Sequence, residues 1–250
     1  MSLSPTAREP SLPGRPDAAV ETILILGGTA EAAKLAAALS EKGQARVITA
    51  LAGRTDDPVL PPGEVRIGGF GGVDGLAAYL KAEDVSRVID ATHPFARQIS
   101  ENAIAACAKA HVPLTVHSRK PWEKQADDIW IEVDSLEQAV AALPPGAHVF
   151  LALGRQHIDA FARRQDCRFV IRMVDAPKQP LPFADATIVL GKASADWQEE
   201  RRLFETYGID HIVARNSGGD AGYGKIIAAR EMRLPIVIIG RPFAELSDAD

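Results

Sequence analysis

The sequence predicts an α/β fold of two mainly parallel sheets facing each other across a cleft, and three observations carry that prediction. Short aliphatic runs alternate with segments of helical spacing, glycines gather where the runs end, and the alternation restarts past the middle of the chain. Strands alternating with helices of this length imply parallel sheets covered on both faces, with ligands at the carboxyl ends of the strands. Two such units make two Rossmann-like domains.

The first unit opens on the strand Ile23–Leu26, which ends at Gly27-Gly28 and is followed by Ala32, Leu35, Ala36 and Leu39 at helical spacing. Strands are expected at Val47–Leu51, Val65–Ile67, Val88–Ala91 and Leu114–Val116, with helices at Leu76–Leu80 and Ile99–Ala108 between them. Ser135-Leu136-Glu137-Gln138 has the spacing of a capping box and begins a second series. That series runs through strands at Val149–Leu153, Phe169–Met173, Thr187–Leu190, His211–Ala214 and Ile236–Ile239. Its helices are expected at Ile158–Arg164, Trp197–Tyr207 and Tyr223–Met232. The boundary therefore falls near 134–146, with a cofactor domain over 21–138 and a substrate domain over 139–250. Pro113 and Pro235 each lead into the last strand of a series, and Arg119 and Arg241 each follow six residues later. This is either a degenerate internal repeat or a coincidence of helix-to-strand prolines.

Composition narrows the classes of function. A net charge of −5 and a pI near 5.7 provide no global attraction to nucleic acid or anionic lipid, so neither is expected as a partner. Cys107 and Cys167 form no metal or disulfide pattern, which fits a reducing cytoplasm. Residues 1–20, with Pro5, Pro10, Pro13 and Pro16, read as a disordered leader rather than a signal peptide. No helical histidine pair, thiol cluster, Gly-x-Ser-x-Gly elbow or Tyr-x-x-x-Lys pair occurs, so no bound metal is expected. The oligomeric state is left open.

Three stretches of the first unit could hold a dinucleotide. Gly27, Gly28 and Thr29, with Ala30 and Glu31 behind them, deliver a strand to a helix N-terminus, where backbone N–H groups and the helix dipole favour a pyrophosphate. A strand-to-helix turn also uses glycine for structural reasons alone. The second strand lacks the acid that usually meets a ribose 2′-hydroxyl about twenty residues on. It offers Thr49 and Arg54 instead, a pair suited to a 2′-phosphate and hence to NADPH, unless Arg54 is a solvated loop arginine. Gly68, Gly69 and Phe70 would let backbone pass close to a ligand, as a merely flexible loop would too. Thr92 and His93 sit where the fourth strand meets its helix and are assigned orienting roles in catalysis, against the alternative of capping or packing.

The second unit collects cations near its strand ends: Arg155, Arg172, Lys192, Arg215, Lys225 and Arg241, with Arg119 as the first unit's counterpart. Asn216, Ser217 and Gly218 open another glycine-rich turn. Together these predict a basic cleft for a multiply carboxylated small molecule; the alternative for any one of them is a solvated rim residue. A nucleotide-sugar or phosphate-transfer enzyme and a non-catalytic NADP-sensing module are the competing readings.

On these residues the chain resembles the precorrin-6A reductases, including their cobalt-precorrin counterparts. The resemblance rests on Leu26-Gly27-Gly28-Thr29 with Glu31-Ala32, on Asp90-Ala91-Thr92-His93-Pro94-Phe95-Ala96, and on Asn102-Ala103. It extends to Arg119 with Pro121-Trp122, Asn216-Ser217-Gly218-Gly219 with Lys225, and Arg241-Pro242. Some family members carry Gly-Pro-Phe-Ser in place of Gly191-Lys192-Ala193-Ser194, and Lys in place of Arg215. The resemblance implies NADPH-dependent reduction of one C=C bond in a ring-contracted, methylated tetrapyrrole polycarboxylate, giving precorrin-6B in cobalamin biosynthesis. Hydride would pass directly to the substrate without metal.

Overall fold

The computed structural model describes residues 20–53 and 59–241. The proposed leader up to residue 19, Arg54 and Pro242 lie outside the described residues. The first sheet consists of β1 (Glu21–Leu26), β2 (Ala45–Leu51), β3 (Glu64–Ile67), β4 (Arg87–Asp90) and β5 (Leu114–Val116). All pairs are parallel and the order is β3-β2-β1-β4-β5. Helix α1 (Ala30–Glu41) covers one face through Ala32 and Ala36, small enough to seat it close over Ile23, Ile25 and Val47. Helices α2 (Gly72–Ala82) and α3 (Arg97–Ala110) cover the other, with Leu76, Leu80, Ala103 and Cys107 against Leu24, Leu26 and Ile48. β1 is apolar on both faces because both are buried.

The second sheet contains β6 (Trp130–Val133), β7 (His148–Ala152), β8 (Arg168–Met173), β9 (Ala186–Leu190), β10 (His211–Arg215) and β11 (Ile236–Ile239). Its order is β6-β11-β10-β7-β8-β9, again all parallel. Read from β9, the five strands after β6 in the chain repeat the first sheet's order, so the repeat seen in the prolines is present in the topology. Pro113 and Pro235 precede β5 and β11, which occupy equivalent places. Helices α4 (Leu136–Ala141), α5 (Trp197–Tyr207) and α6 (Gly224–Met232) flank this sheet. Phe150 and Phe204 meet edge to face with ring centroids 5.1 Å apart in its core.

Two expectations are corrected. The domain boundary at 138/139 left Trp130–Val133 in the first unit, yet β6 pairs with β11 in the second sheet, in register Trp130↔Ile236 to Val133↔Ile239. The chain crosses between sheets from Val116 to Trp130. Residues Ile158–Arg164 do not form an α-helix; the segment holds two 3-10 turns, Arg155–His157 and Asp159–Phe161. Ile158 and Phe161, both fully buried, are three residues apart, a spacing that a three-residue turn serves as well as an α-helix. Arg164 then ties the segment down by donating to the carbonyls of Val140, Leu143 and Pro144.

Candidate active site

Strand order reverses between β1 and β4, the place where open α/β sheets bind ligands. Gly27 is required by packing, since a Cβ there would lie 2.9 Å from Thr49 Cγ2. Gly28 is required by its φ of +101°, and the space beside it is open. Thr29 caps α1, accepting from the Ala32 N–H (3.1 Å) and donating to the Ala91 carbonyl (2.8 Å), which locks the β1 and β4 edges together. Ala30 and Glu31 form the first turn of α1.

Glu31 pairs with Arg119, whose Nη1 lies 3.1 and 3.0 Å from its two carboxylate oxygens. Burial pushes the Glu31 carboxyl up, but its own backbone N–H, Arg119 and Lys34 outweigh that and hold it below its ordinary value. This end of α1 thus already stabilises negative charge. Thr29, Glu31, Ala91, Thr92, His117 and Arg119 line a small cavity at the reversal point.

Next to it, Thr92 donates to Asp90 Oδ1 (2.6 Å), and the same oxygen accepts from the Thr92 N–H (3.0 Å). The hydroxyl therefore braces the β4–α3 turn. His93 Nδ1 accepts from the Phe95 N–H at 3.2 Å, so the ring proton sits on Nε2. Burial, then Arg215, Arg119, Arg241 and His157, push the His93 imidazole down to about 3, which leaves it neutral near pH 7. Those cations include groups from the second half, so the carboxyl edges of the two sheets face each other. Phe95 joins them directly: it packs on the second sheet's core, and Arg215 Cζ lies 4.8 Å from its ring centroid.

Thr49 is not at the edge. It is 1% exposed and faces Gly27, and its hydroxyl has no hydrogen-bond partner among the described residues, so its assignment to a cofactor phosphate is corrected. Gly68, Gly69 and Phe70 lie beyond β3, with the Gly68 N–H donating to the Leu51 carbonyl at the end of β2 (2.8 Å). This loop is therefore at the same edge as the Gly27-Gly28 turn.

The expected cradle of free cations is corrected as well. Arg172 is paired through both terminal nitrogens with Glu200 (2.7 and 2.8 Å), a carboxylate 1% exposed that also accepts from the Ser194 N–H. Arg241 donates to the carbonyls of Arg119, Asn216 and Ser217. Lys225 is 5% exposed, donates to the Gly222 carbonyl and lies over the Trp122 ring at 4.7 Å. Burial pushes its ammonium down to about 8, against the opposing pull of Glu200. Arg155 is exposed just beyond β7, beside the second sheet's own reversal point between β7 and β10. Lys192 is exposed beyond edge strand β9, away from that point. Asn216 works as a backbone mimic: it accepts from the Trp122 N–H (2.7 Å) and donates to the Trp122 carbonyl (2.9 Å). Gly218 packs against Lys120 and Arg241, where a Cβ would collide with both. The Asn216, Ser217 and Gly218 turn and Arg241 thus hold the crossing segment to the second half.

Sequence reasoning missed Asp90, Phe95 and Glu200 as site-forming residues. Each is a single polar or aromatic position whose partner is distant or on a neighbouring turn; only the string around His93 pointed toward Asp90 and Phe95. Among the described residues no group of His, Cys, Asp and Glu is arranged to hold a metal, and no helix is long and apolar enough to cross a membrane.

A family model described as "Precorrin-6x reductase CbiJ/CobK" matches residues 22–250. The chain belongs to the precorrin-6x reductase family. Within that family it is 47% identical over 227 residues to the precorrin-6A reductase of Rhodobacter capsulatus, covering 90% of each chain. It is 43% identical over 221 residues to that of Rhodococcus erythropolis, covering 88% of this chain and 89% of the other. The cobalt-precorrin-6A reductase of Priestia megaterium is 27% identical over 237 residues. A solved structure titled "CobK precorrin-6A reductase" superposes with a TM-score of 0.87 at 46% identity, covering 91% of both chains. The two-sheet α/β architecture is therefore that of the precorrin-6x reductase family.

Proposed function

We propose that this chain reduces one C=C bond of precorrin-6A to give precorrin-6B, a step of cobalamin biosynthesis, with NADPH as reductant and by direct hydride transfer. The observation that carries the reading is the open glycine turn at the first sheet's reversal point, which Thr29 ties through the Ala91 carbonyl to the β4–α3 turn that carries Thr92 and His93. NADPH fits that turn: Gly28 leaves open space beside the N-terminus of α1, an end of a helix that favours negative charge. Gly27, Gly28, Thr29 and Ala30 would hold the pyrophosphate, and Gly68, Gly69 and Phe70 the adenosine end. When bound, NADPH would supply a hydride, two electrons and one hydrogen, to one carbon of the double bond, and the other carbon would take a proton from water.

The chain's own residues position and shield. His93, with its proton on Nε2, is a neutral donor that orients a ligand carbonyl or carboxylate without adding charge. Thr92 keeps the turn that carries it in place. Arg119, Arg155 and Arg215 provide positive charge for the substrate's carboxylates at the facing edges, where held geometry lowers the barrier through proximity. Since Arg54 lies outside the described residues and Thr49 is buried, preference for the 2′-phosphate rests on Arg54. NADPH should bind more tightly than NADH, and Arg54→Ala should narrow the gap by about 1.5–3 kcal/mol.

The deciding experiment incubates the protein with precorrin-6A and NADPH deuterated at C4. Label on a carbon of a product two mass units heavier than the unlabelled substrate plus one for deuterium is expected. Label lost to water, or no reduction with any nicotinamide, would refute the reading.

A further inference from the structure

Arg66, near the carboxyl end of β3, has its guanidinium turned back over the loop that follows. Its Nη1 donates to the Gly68 carbonyl (2.6 Å) and its Nη2 to the Gly69 carbonyl (2.9 Å). Its Cζ lies 4.1 Å from the Phe70 ring centroid and 5.2 Å from that of Tyr79, and those two rings meet edge to face at 5.1 Å. One planar cation thus fixes two successive carbonyls and one aromatic ring, a task that suits the rigid fork of arginine and not the point charge of lysine. Gly68, at φ +111°, needs to be glycine for backbone reasons. Gly69 does not: its φ lies outside the left-handed region, and no atom comes within 4 Å of where its Cβ would be. Neither backbone nor packing accounts for a glycine there, so the open side of the loop is kept clear for something outside the chain.

In a dinucleotide site the adenosine end lies toward the second strand, on the β2–β3 side of the pyrophosphate turn. We infer that Arg66 is a positioning residue for the cofactor, preforming the Gly68–Phe70 loop as the surface on which the adenosine end of NADPH rests, with Gly69 as the point of closest approach. The inference rests on the NADPH reading above and adds a residue and a subsite to it. Arg66 acts through the loop and need not touch the reacting atoms.

The test measures calorimetric affinities of the full chain, and of its Arg66→Ala, Arg66→Lys and Gly69→Ala variants, for NADPH, adenosine 2′,5′-bisphosphate and nicotinamide mononucleotide. Arg66→Ala should weaken NADPH and the adenosine fragment about tenfold or more, leave the mononucleotide nearly unchanged, and raise KM for NADPH far more than it lowers kcat. Arg66→Lys should behave like the alanine variant, because one ammonium cannot span both carbonyls and the ring. Gly69→Ala should fold with undiminished thermal stability, since its backbone and surroundings tolerate a methyl group, yet lose adenosine affinity to a similar degree. That variant decides the matter should Arg66→Ala fail to fold. Unchanged NADPH affinity in folded Gly69→Ala and in any folded Arg66 variant overturns the inference while leaving the NADPH reading intact. Failure of the unmodified protein to bind NADPH overturns the reading itself, and the inference with it.

Discussion

The two sheets share a strand order but differ in how deeply they bury charge at their carboxyl edges. Leu51 and Met173 hold equivalent places, each with its carbonyl accepting from a glycine N–H beyond the next strand, Gly68 and Gly191. One residue earlier the first sheet has the buried Ala50 and the second has Arg172. Around its reversal point the first sheet keeps its ion pair, Glu31 with Arg119, partly open to solvent beside a threonine hydroxyl and a neutral imidazole; the second buries its pair, Arg172 with Glu200, next to its edge. A buried charge pair costs desolvation that a well-packed apolar core does not, so the second half carries ionic groups whose removal should matter most. The difference teaches that a basic strand end in sequence is not a free cation: the second half spends Arg172 and Arg241 on itself.

Breaking the ionic edge should have the largest effect. Glu200→Ala leaves Arg172 uncompensated and the Ser194 N–H without its acceptor, and should destabilise the fold by about 3–5 kcal/mol in denaturant titration. A loss below about 1 kcal/mol would mean that water reaches the pair, and the contrast between the sheets would fail. Arg241→Ala frees three carbonyls at the junction and should cost about 2–3 kcal/mol of stability. Were it instead to weaken precorrin-6A binding at unchanged stability, Arg241 would be a substrate residue after all.

His93 makes its own prediction in acid. His93 has a folded pKa near 3 against an ordinary value of 6.5, so between those values the unfolded chain binds a proton that the folded chain does not. Its contribution is present in full above pH 6.5 and is lost as pH falls toward 3. His93→Gln should flatten that part of the stability profile by about 1–2 kcal/mol, after allowance for partial solvent screening. A profile unchanged between the two proteins would show the imidazole to be charged in the folded state. The smallest effect belongs to Thr49→Val, which replaces a buried, unpartnered hydroxyl by a methyl group of similar shape. It should be neutral or stabilising by about 1 kcal/mol, with NADPH affinity unaltered; weaker NADPH binding would put Thr49 back in the cofactor site.

The elements that sequence predicts well are those whose physics is local. β1 reads as a strand because it is apolar without interruption, Thr29 and Ser135 read as helix starts because their caps bond three residues on, and Gly28 reads as a turn because only glycine adopts its φ freely. β6 escapes notice because it is a four-residue edge strand in which only Trp130 is buried, and among the described residues it pairs with β11 alone. The same holds in the site. The Gly27–Thr29 turn and the Thr92–His93 edge are visible as contiguous motifs. Whether Arg172 faces a ligand or Glu200 depends on a partner 28 positions away, and whether Thr49 faces solvent or Gly27 depends on how closely β1 and β2 approach. Nothing in the local spacing encodes either.

The pairing of β6 with β11 also sets an order in time. Trp130 leaves the ribosome 106 positions ahead of Ile236, its partner in the sheet. During synthesis of that interval β6 has no strand to join, and the segment from Arg119 to Trp130 lacks both the Asn216 side chain, which later bonds Trp122, and Arg241, which later bonds the Arg119 carbonyl. The first sheet needs nothing beyond Val116 and can be complete while the second is still being made. The second sheet cannot close at its β6 edge until Ile236–Ile239 emerge. A chain stopped before Ile236 would therefore lose more than β11: it would carry a finished first sheet joined to a second sheet with an open edge, a species prone to pair with another chain.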